Sequence, residues 1–292
     1  MRRADIFRSI LAAAAACVAA SAFGPASQGA LGLGPGGSKS NEPVAIEAEE
    51  GIEWQQTNQV YIARGNARAT QAGASVRADS LTAHYRNAKS GETEIWKIVA
   101  EGSVRIESAN EWATGDVGVY DVDKGVLVLT GKIVRYETAS EKISARQSIE
   151  YWDTRRLAVA RGNAVAIKDG RELRGDVLSA ELEETKGGAL EVRRIQAFGN
   201  VEVASPTEVA KAEYGDYRVE TGIAHLQGSV KITRGANQLN GDLAEVNMKT
   251  GVSKLLAQPR AAGGSKRVQG LIIPKTADGP TSSNSAPKST SP

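Results

Sequence analysis

Six glycines set the frame of this chain. Gly65, Gly102, Gly131, Gly162, Gly199 and Gly228 lie in the texts ARGNARA, AEGSVRI, LTGKIVR, ARGNAVAI, AFGNVEV and LQGSVKI, each closing one apolar stretch and opening the next. Their spacings are 37, 29, 31, 37 and 29 residues. The order itself repeats, because Gly65 to Gly162, Gly102 to Gly199 and Gly131 to Gly228 are each 97 residues. A unit of about thirty residues is used six times, and the first three units recur as a block, which is the signature of a repeat architecture.

The register holds away from the glycines. Thirteen residues after each stands a small residue: Ala78, Gly115, Ser144, Gly175, Ala212 and Gly241. The next position is acidic in Asp79, Asp116, Asp176, Glu213 and Asp242, with Ala145 as the exception. Twenty residues after each glycine the side chain is apolar or aromatic: Tyr85, Val122, Tyr151, Leu182, Val219 and Met248. The extra length of the two longer spacings falls in RNAKSGETE and EETKGGALE, which read as longer surface loops.

Just after the glycines come apolar pairs: Val104/Ile106, Val165/Ile167, Val201/Val203 and Val230/Ile232, separated by Arg105, Ala166, Glu202 and Lys231. Alternation with period two puts one face on a core and leaves the other mostly wet, as in antiparallel strands. The third unit breaks this frame at Ile133 and Val134. The small–acidic pairs read as bends or bulges that keep successive strands in register. Each unit supplies at least two short strands. One hairpin cannot bury its apolar face alone, but a stack can. A stack also leaves its first and last strands open, with unpaired backbone groups that are a hazard or a docking surface.

The ends differ in composition from this body. Residues 1–22 read as a secretory signal peptide: Arg2, Arg3 and Arg8 precede an apolar run from Ile10 to Ala22, and Ala20-Ser21-Ala22 fits a cleavage site. The run is short for a bilayer span of about 20 residues. An uncleaved anchor is the competing reading. Residues 23–41 form a Gly/Ser/Pro-rich linker and 259–292 a low-complexity tail expected to be disordered, within which VQGLIIP adds a last short strand. Cys17, the single cysteine, lies in the leader, so disulfides are not expected in the mature chain. Without Arg2, Arg3, Asp5 and Arg8 the mature chain carries 33 cationic and 33 anionic side chains. That balance gives no sign of nucleic-acid binding, which needs a concentrated basic patch.

No reaction chemistry stands out. The repeated acids are spaced one per unit, which suits backbone capping at a bend better than calcium binding. His84 and His225 have no Cys or His at ligand spacing, so no metal or other cofactor is expected. Neither a nucleophile elbow nor a phosphate loop is present, and no enzyme is expected. The four tryptophans, Trp54, Trp96, Trp112 and Trp152, fall in the first 152 residues, as a cap on one end or as ordinary core.

The leader, the opening PVAIEAEEGIEWQQTNQVYIARGNA, the recurrent apolar–Gly–Asn/Ser–Val steps and the small–Asp pairs resemble the OstA/LptA family of periplasmic lipopolysaccharide-transport proteins, over residues 42–258. The resemblance implies an all-β, elongated, twisted antiparallel β-jellyroll with open edge strands at both ends. It implies a periplasmic carrier that shelters lipid A acyl chains in an apolar groove and moves lipopolysaccharide toward the outer membrane. The implied partners are lipopolysaccharide, an inner-membrane LptC-like protein, the N-terminal domain of an outer-membrane LptD-like translocon, and further copies joined end to end through edge strands.

Val104, Ile106, Val165, Ile167, Val201, Val203, Val230 and Ile232, as a set, either line such a groove or fill a dry core. The chain has 3 Phe, 7 Tyr and 4 Trp, and so few bulky side chains to plug an elongated interior favour the groove. Two other readings stay open: a membrane-anchored OstA-like partner in the same pathway, and a carbohydrate-active enzyme or adhesin on a parallel β-solenoid.

Overall fold

The computed structural model describes residues 44–71, 73–87, 93–186, 190–250, 252–257 and 268–272. The leader, the linker and most of the tail lie outside them. The described residues form eighteen strands. In chain order these are β1 (Ala45–Glu47), β2 (Gly51–Gln55), β3 (Val60–Gln71), β4 (Ala74–Asn87), β5 (Thr93–Ser108) and β6 (Glu111–Asp121). Then come β7 (Val126–Thr130), β8 (Val134–Thr138), β9 (Glu141–Ala145), β10 (Ser148–Trp152), β11 (Leu157–Lys168) and β12 (Arg171–Glu184). The last six are β13 (Leu190–Ala204), β14 (Val209–Arg218), β15 (Ile223–Arg234), β16 (Asn237–Asn247), β17 (Val252–Leu256) and β18 (Gln269–Leu271). The short strand β18 falls within VQGLIIP.

Every pairing in the sheet is antiparallel, which removes the parallel β-solenoid reading. The path is a meander. β6 pairs with β7 through Val117–Asp121 and with β8 through Glu111–Thr114, so β7 and β8 are two halves of one crossing. β9 and β10 are likewise two halves of the next, both paired with β11. β1 and β2 share β3 at one edge, and β17 and β18 share β16 at the other. Each thirty-residue unit is thus one long hairpin.

The glycine frame explains why the sheet folds on itself. Gly65–Asn66, Gly102–Ser103, Gly162–Asn163, Gly199–Asn200 and Gly228–Ser229 are consecutive left-handed pairs, with φ from 45° to 88°. Left-handed backbone costs most L-residues roughly 1–2 kcal/mol, and glycine little. The ladder slips at each pair, as between Glu101 and Val104 and between Phe198 and Val201. The small residue of the neighbouring strand then stands opposite the second residue after the glycine: Ala67 faces Ala78, Val104 faces Gly115, and Val201 faces Ala212. The acid that follows drops out of the ladder and packs on the next kink. A Cβ on Gly102 would meet Asp79 Oδ2 at 2.0 Å. Gly131 lacks the left-handed conformation, and there the crossing breaks into β7 and β8.

Aligned across the sheet, the kinks form a crease that divides every crossing between two leaves. Leaf A holds β2, β7, β10 and β17, and leaf B holds β1, β8, β9 and β18, with the long strands running through both. One apolar cluster joins them, including Ala100, Leu129, Leu178 and Leu226 of leaf A and Val104, Val134, Ala164 and Val230 of leaf B. Val104 Cγ1 reaches across the crease to 3.4 Å from where a Cβ on Gly118 would sit, and Val201 Cγ1 to 3.5 Å from the same place at Gly215. The glycines admit the valines. The fold is an elongated all-β antiparallel jellyroll with an open strand at each end.

Candidate functional site

The candidate site is the inner face of the folded sheet. Strand alternation decides which side chains reach it. In β5 the sequence Ala100 … Val104, Arg105, Ile106 sends Ala100, Val104 and Ile106 inward and Arg105 out. Val104, Val134, Val201 and Val230 are the largest fully buried side chains, one beside each of four kinks or breaks. Ile106 and Ile232 are buried next to them, and Val203 is half-buried against the same cluster.

Val165 and Ile167 do not belong to this set. Counting from Gly162, the second and fourth places are Ala164 and Ala166, which are 0% and 1% exposed. Val165 and Ile167 alternate with them and face outward, Ile167 being 39% exposed. In AVAIK either frame alternates, and the larger side chains take the outer one. The inner lining is therefore richer in alanine than the valine pairs suggest, with Ala63, Ala67, Ala113, Ala145, Ala164 and Ala197 all buried. Their uniform small size gave no signal in the sequence.

The interior is open at the β1–β2 edge. Ile46 stands opposite Ala69, Ile52 opposite the buried Ala63, and Trp54 opposite Tyr61, so all three point inward. With no further strand beyond them among the described residues they remain exposed, Trp54 at 57%. Trp54 stacks on Tyr61 with ring centroids 5.7 Å apart, Tyr61 meets Tyr85 at 4.9 Å, and Trp54 Nε1 donates to Tyr85 Oη at 2.8 Å. At the opposite edge Leu255 and Val268 pack near Gly241. The tryptophans do not form one cap: Trp112 lies beneath the Arg105 guanidinium and Trp152 beneath Arg155, both on the outer face.

The inner face is not apolar throughout. Near the turn end of leaf B, in mid-chain, Glu111, Tyr136, Glu141 and Lys168 continue inward-facing rows. The Tyr136 hydroxyl donates to Glu111 and the Lys168 ammonium to Glu141. Burial, reinforced by the Glu111 charge and bond, raises the Tyr136 phenol well above its ordinary value. Burial also raises Glu141, against the opposing bond from Lys168. Both acids are almost inaccessible to solvent. Sequence reasoning missed them among 34 acidic residues. Their only mark is a position two residues from the core residues Ala113 and Ile143. Among the described residues no three His, Cys, Asp or Glu side chains could together hold a metal ion.

Comparison with known proteins agrees with the internal duplication. The model of one family, described as LptA/(LptD N-terminal domain) LPS transport protein, matches twice, over residues 45–151 and 142–252. The two matches start 97 residues apart, the same interval as the glycine blocks. An uncharacterized protein, R00383, of Rhizobium meliloti (strain 1021) is 28% identical over 99 residues, which is 32% of this chain and 53% of that protein. The chain thus matches about half the length of that relative. Among solved structures, the crystal structure of LptH from Pseudomonas aeruginosa, an LptA homologue and periplasmic component of a lipopolysaccharide transport device, aligns at 13% identity over 80% of this chain and 97% of that one, with a TM-score of 0.19.

Proposed function

We propose that this chain, which belongs to the family of LptA and LptD N-terminal-domain LPS transport proteins, is a periplasmic carrier that shelters lipopolysaccharide acyl chains inside the crease. The observation that carries this reading is the single apolar cluster, which runs from Ala63 in β3 to Ala244 in β16 and ends in an open apolar mouth at Ile46, Ile52 and Trp54. Removing acyl chains from water is worth about 25 cal/mol per Å² of apolar area. An interior that stays apolar along the crease, with its buried charged groups confined to the turn end of leaf B, lets a chain pass from hairpin to hairpin at little cost per step. No bond is made or broken, and direction comes from partners. The unpaired edges, β1–β2 and β17–β18, supply docking strands for an inner-membrane LptC-like protein, for the N-terminal domain of an LptD-like translocon, or for a second copy.

Photo-crosslinking in cells tests the reading. Probes go at Val203 and Ile52 on the inner face, with controls at Val165 and Lys231 on the outer face. Lipopolysaccharide adducts are expected at the first two and not at the controls. Folded protein that gives no adduct, or equal adducts at all four, rejects the carrier reading.

A further inference from the structure

The outer face of leaf B carries a charge pattern that the two blocks do not share. Arg68 of β3 stands directly opposite Arg77 of β4, and Arg77 directly opposite Arg105 of β5. Side chains in such pairs have Cβ atoms about 4.5–5.5 Å apart, and like charges there are destabilising. Their chain neighbours Ala67, Ala78 and Val104 are buried in the core, so the three guanidinium groups lie outside. Glu107 answers them from the same face, accepting from Arg105 Nε at 2.7 Å. Its carboxyl is held below the ordinary value, first by that bond and further by the charges of Arg105, Arg77 and Arg68. The Trp112 ring lies 5.0 Å from the Arg105 guanidinium.

One carboxylate leaves the row in excess positive charge. Arg68 and Arg77 make no ion pair among the described residues, although Glu47 stands opposite Arg68 on β1. The Arg68 Nε–H is buried and has no acceptor among the described residues. An unmet buried donor costs about 1–3 kcal/mol.

The second block is an internal control. Ninety-seven residues on, the same register holds Val165, Arg174 and Glu202. Ala204 takes the place of Glu107, and Glu172 the place of Ser75. Arg174 is paired with Glu172, and Glu202 with Lys211. The same scaffold folds with this row neutralised, so the sheet itself does not require three opposed arginines.

We propose that Arg68, Arg77 and Arg105 form a binding site for a phosphate-bearing anion. Guanidinium groups match phosphate oxygens in forked pairs, and an anion over the row offsets its excess positive charge. The site is on the opposite side of β3–β5 from the apolar interior and does not depend on what the interior holds. Either a lipid head group or a free phosphate supplies this chemistry.

The test compares the full chain with a variant carrying the second block's own residues, R68V/R105E/E107A, and with R77Q as a milder change. Each is titrated with inorganic pyrophosphate by calorimetry and floated with phosphatidylglycerol-containing vesicles. The unaltered chain is expected to bind at least one of the two, less tightly as salt rises. Both variants, with unchanged circular dichroism, are expected to bind about tenfold more weakly. Saturation by pyrophosphate identifies a free anion as sufficient, and binding to vesicles alone identifies the lipid head group. An unaltered chain that binds neither, or a folded variant that binds as tightly, overturns the site.

Discussion

Asn200, left-handed at φ 49°, places its Nδ2 3.1 and 3.0 Å from the two carboxylate oxygens of Asp176 on the adjacent strand. The contact ties the kink of β13 to the acid of β12. Beside it, a Cβ on Gly199 would fall 2.2 Å from Asp176 Oδ2. Gly199→Ala must both hold a left-handed backbone and displace the carboxylate. A loss of about 2 kcal/mol is expected in urea unfolding. Asp176→Ala, which removes an exposed polar contact, is expected to cost about 1 kcal/mol. A G199A protein as stable as the parent rejects the crease as the source of the glycine period.

The sidedness of β11 has its own test. Ala164 has no exposed surface, and Val165 faces the other way. Ala164→Val overfills the core and is expected to cost about 1–3 kcal/mol. Val165→Ala is expected to change stability by no more than about 0.5 kcal/mol. The reverse order of effects would return Val165 to the interior.

Glu141 links stability to pH. Burial raises its folded-state value above the ordinary 4.5, despite the bond from Lys168. The folded chain therefore holds this proton through a window that opens at 4.5 and extends upward to the raised value. Stability contributed by the group is greatest below that window and falls as pH rises through it. Measured against Glu141→Gln by urea unfolding across about pH 4–8, the parent is expected to lose ground as pH rises. A difference that stays constant, or changes with the opposite sign, rules out the buried acid.

The free edge at β2 predicts concentration-dependent assembly. Successive residues of an edge strand direct their N–H groups to opposite sides, so Ile52→Pro and Glu53→Pro remove different donors. One of them takes a ladder bond from β3, and the other only an outward donor. The second is expected to remain folded and to shift the light-scattering mass toward the monomer. If both fold and neither changes the mass, β2 is not an assembly edge.

Most of the fold is legible in the chain because its devices recur. Five of the six glycines open a left-handed pair with Asn or Ser, an acid packs against five of the six bare Cα atoms, and that repetition makes the grammar visible. Unit three loses the acid, with Ala145 in its place, and it is also where the crossing breaks. The interior was less legible. Valine and isoleucine draw attention to β11, but alanine occupies its inner face. Ile46, Ile52 and Trp54 become a mouth only because, among the described residues, the sheet ends at β1 and β2, a tertiary fact that no local pattern encodes. Arg68, Arg77 and Arg105 follow no local spacing, and only strand register sets them side by side.

The meander also makes reach a counted quantity. Neighbouring strands lie about 4.7–4.9 Å apart, so each hairpin lengthens the molecule by about 9–10 Å and leaves its cross-section unchanged. A 97-residue block, three hairpins, is then a measure of about 29 Å. Duplicating or deleting such a block yields a longer or shorter beam of the same profile, with the same two ends. For a molecule of this design, span is set by copy number.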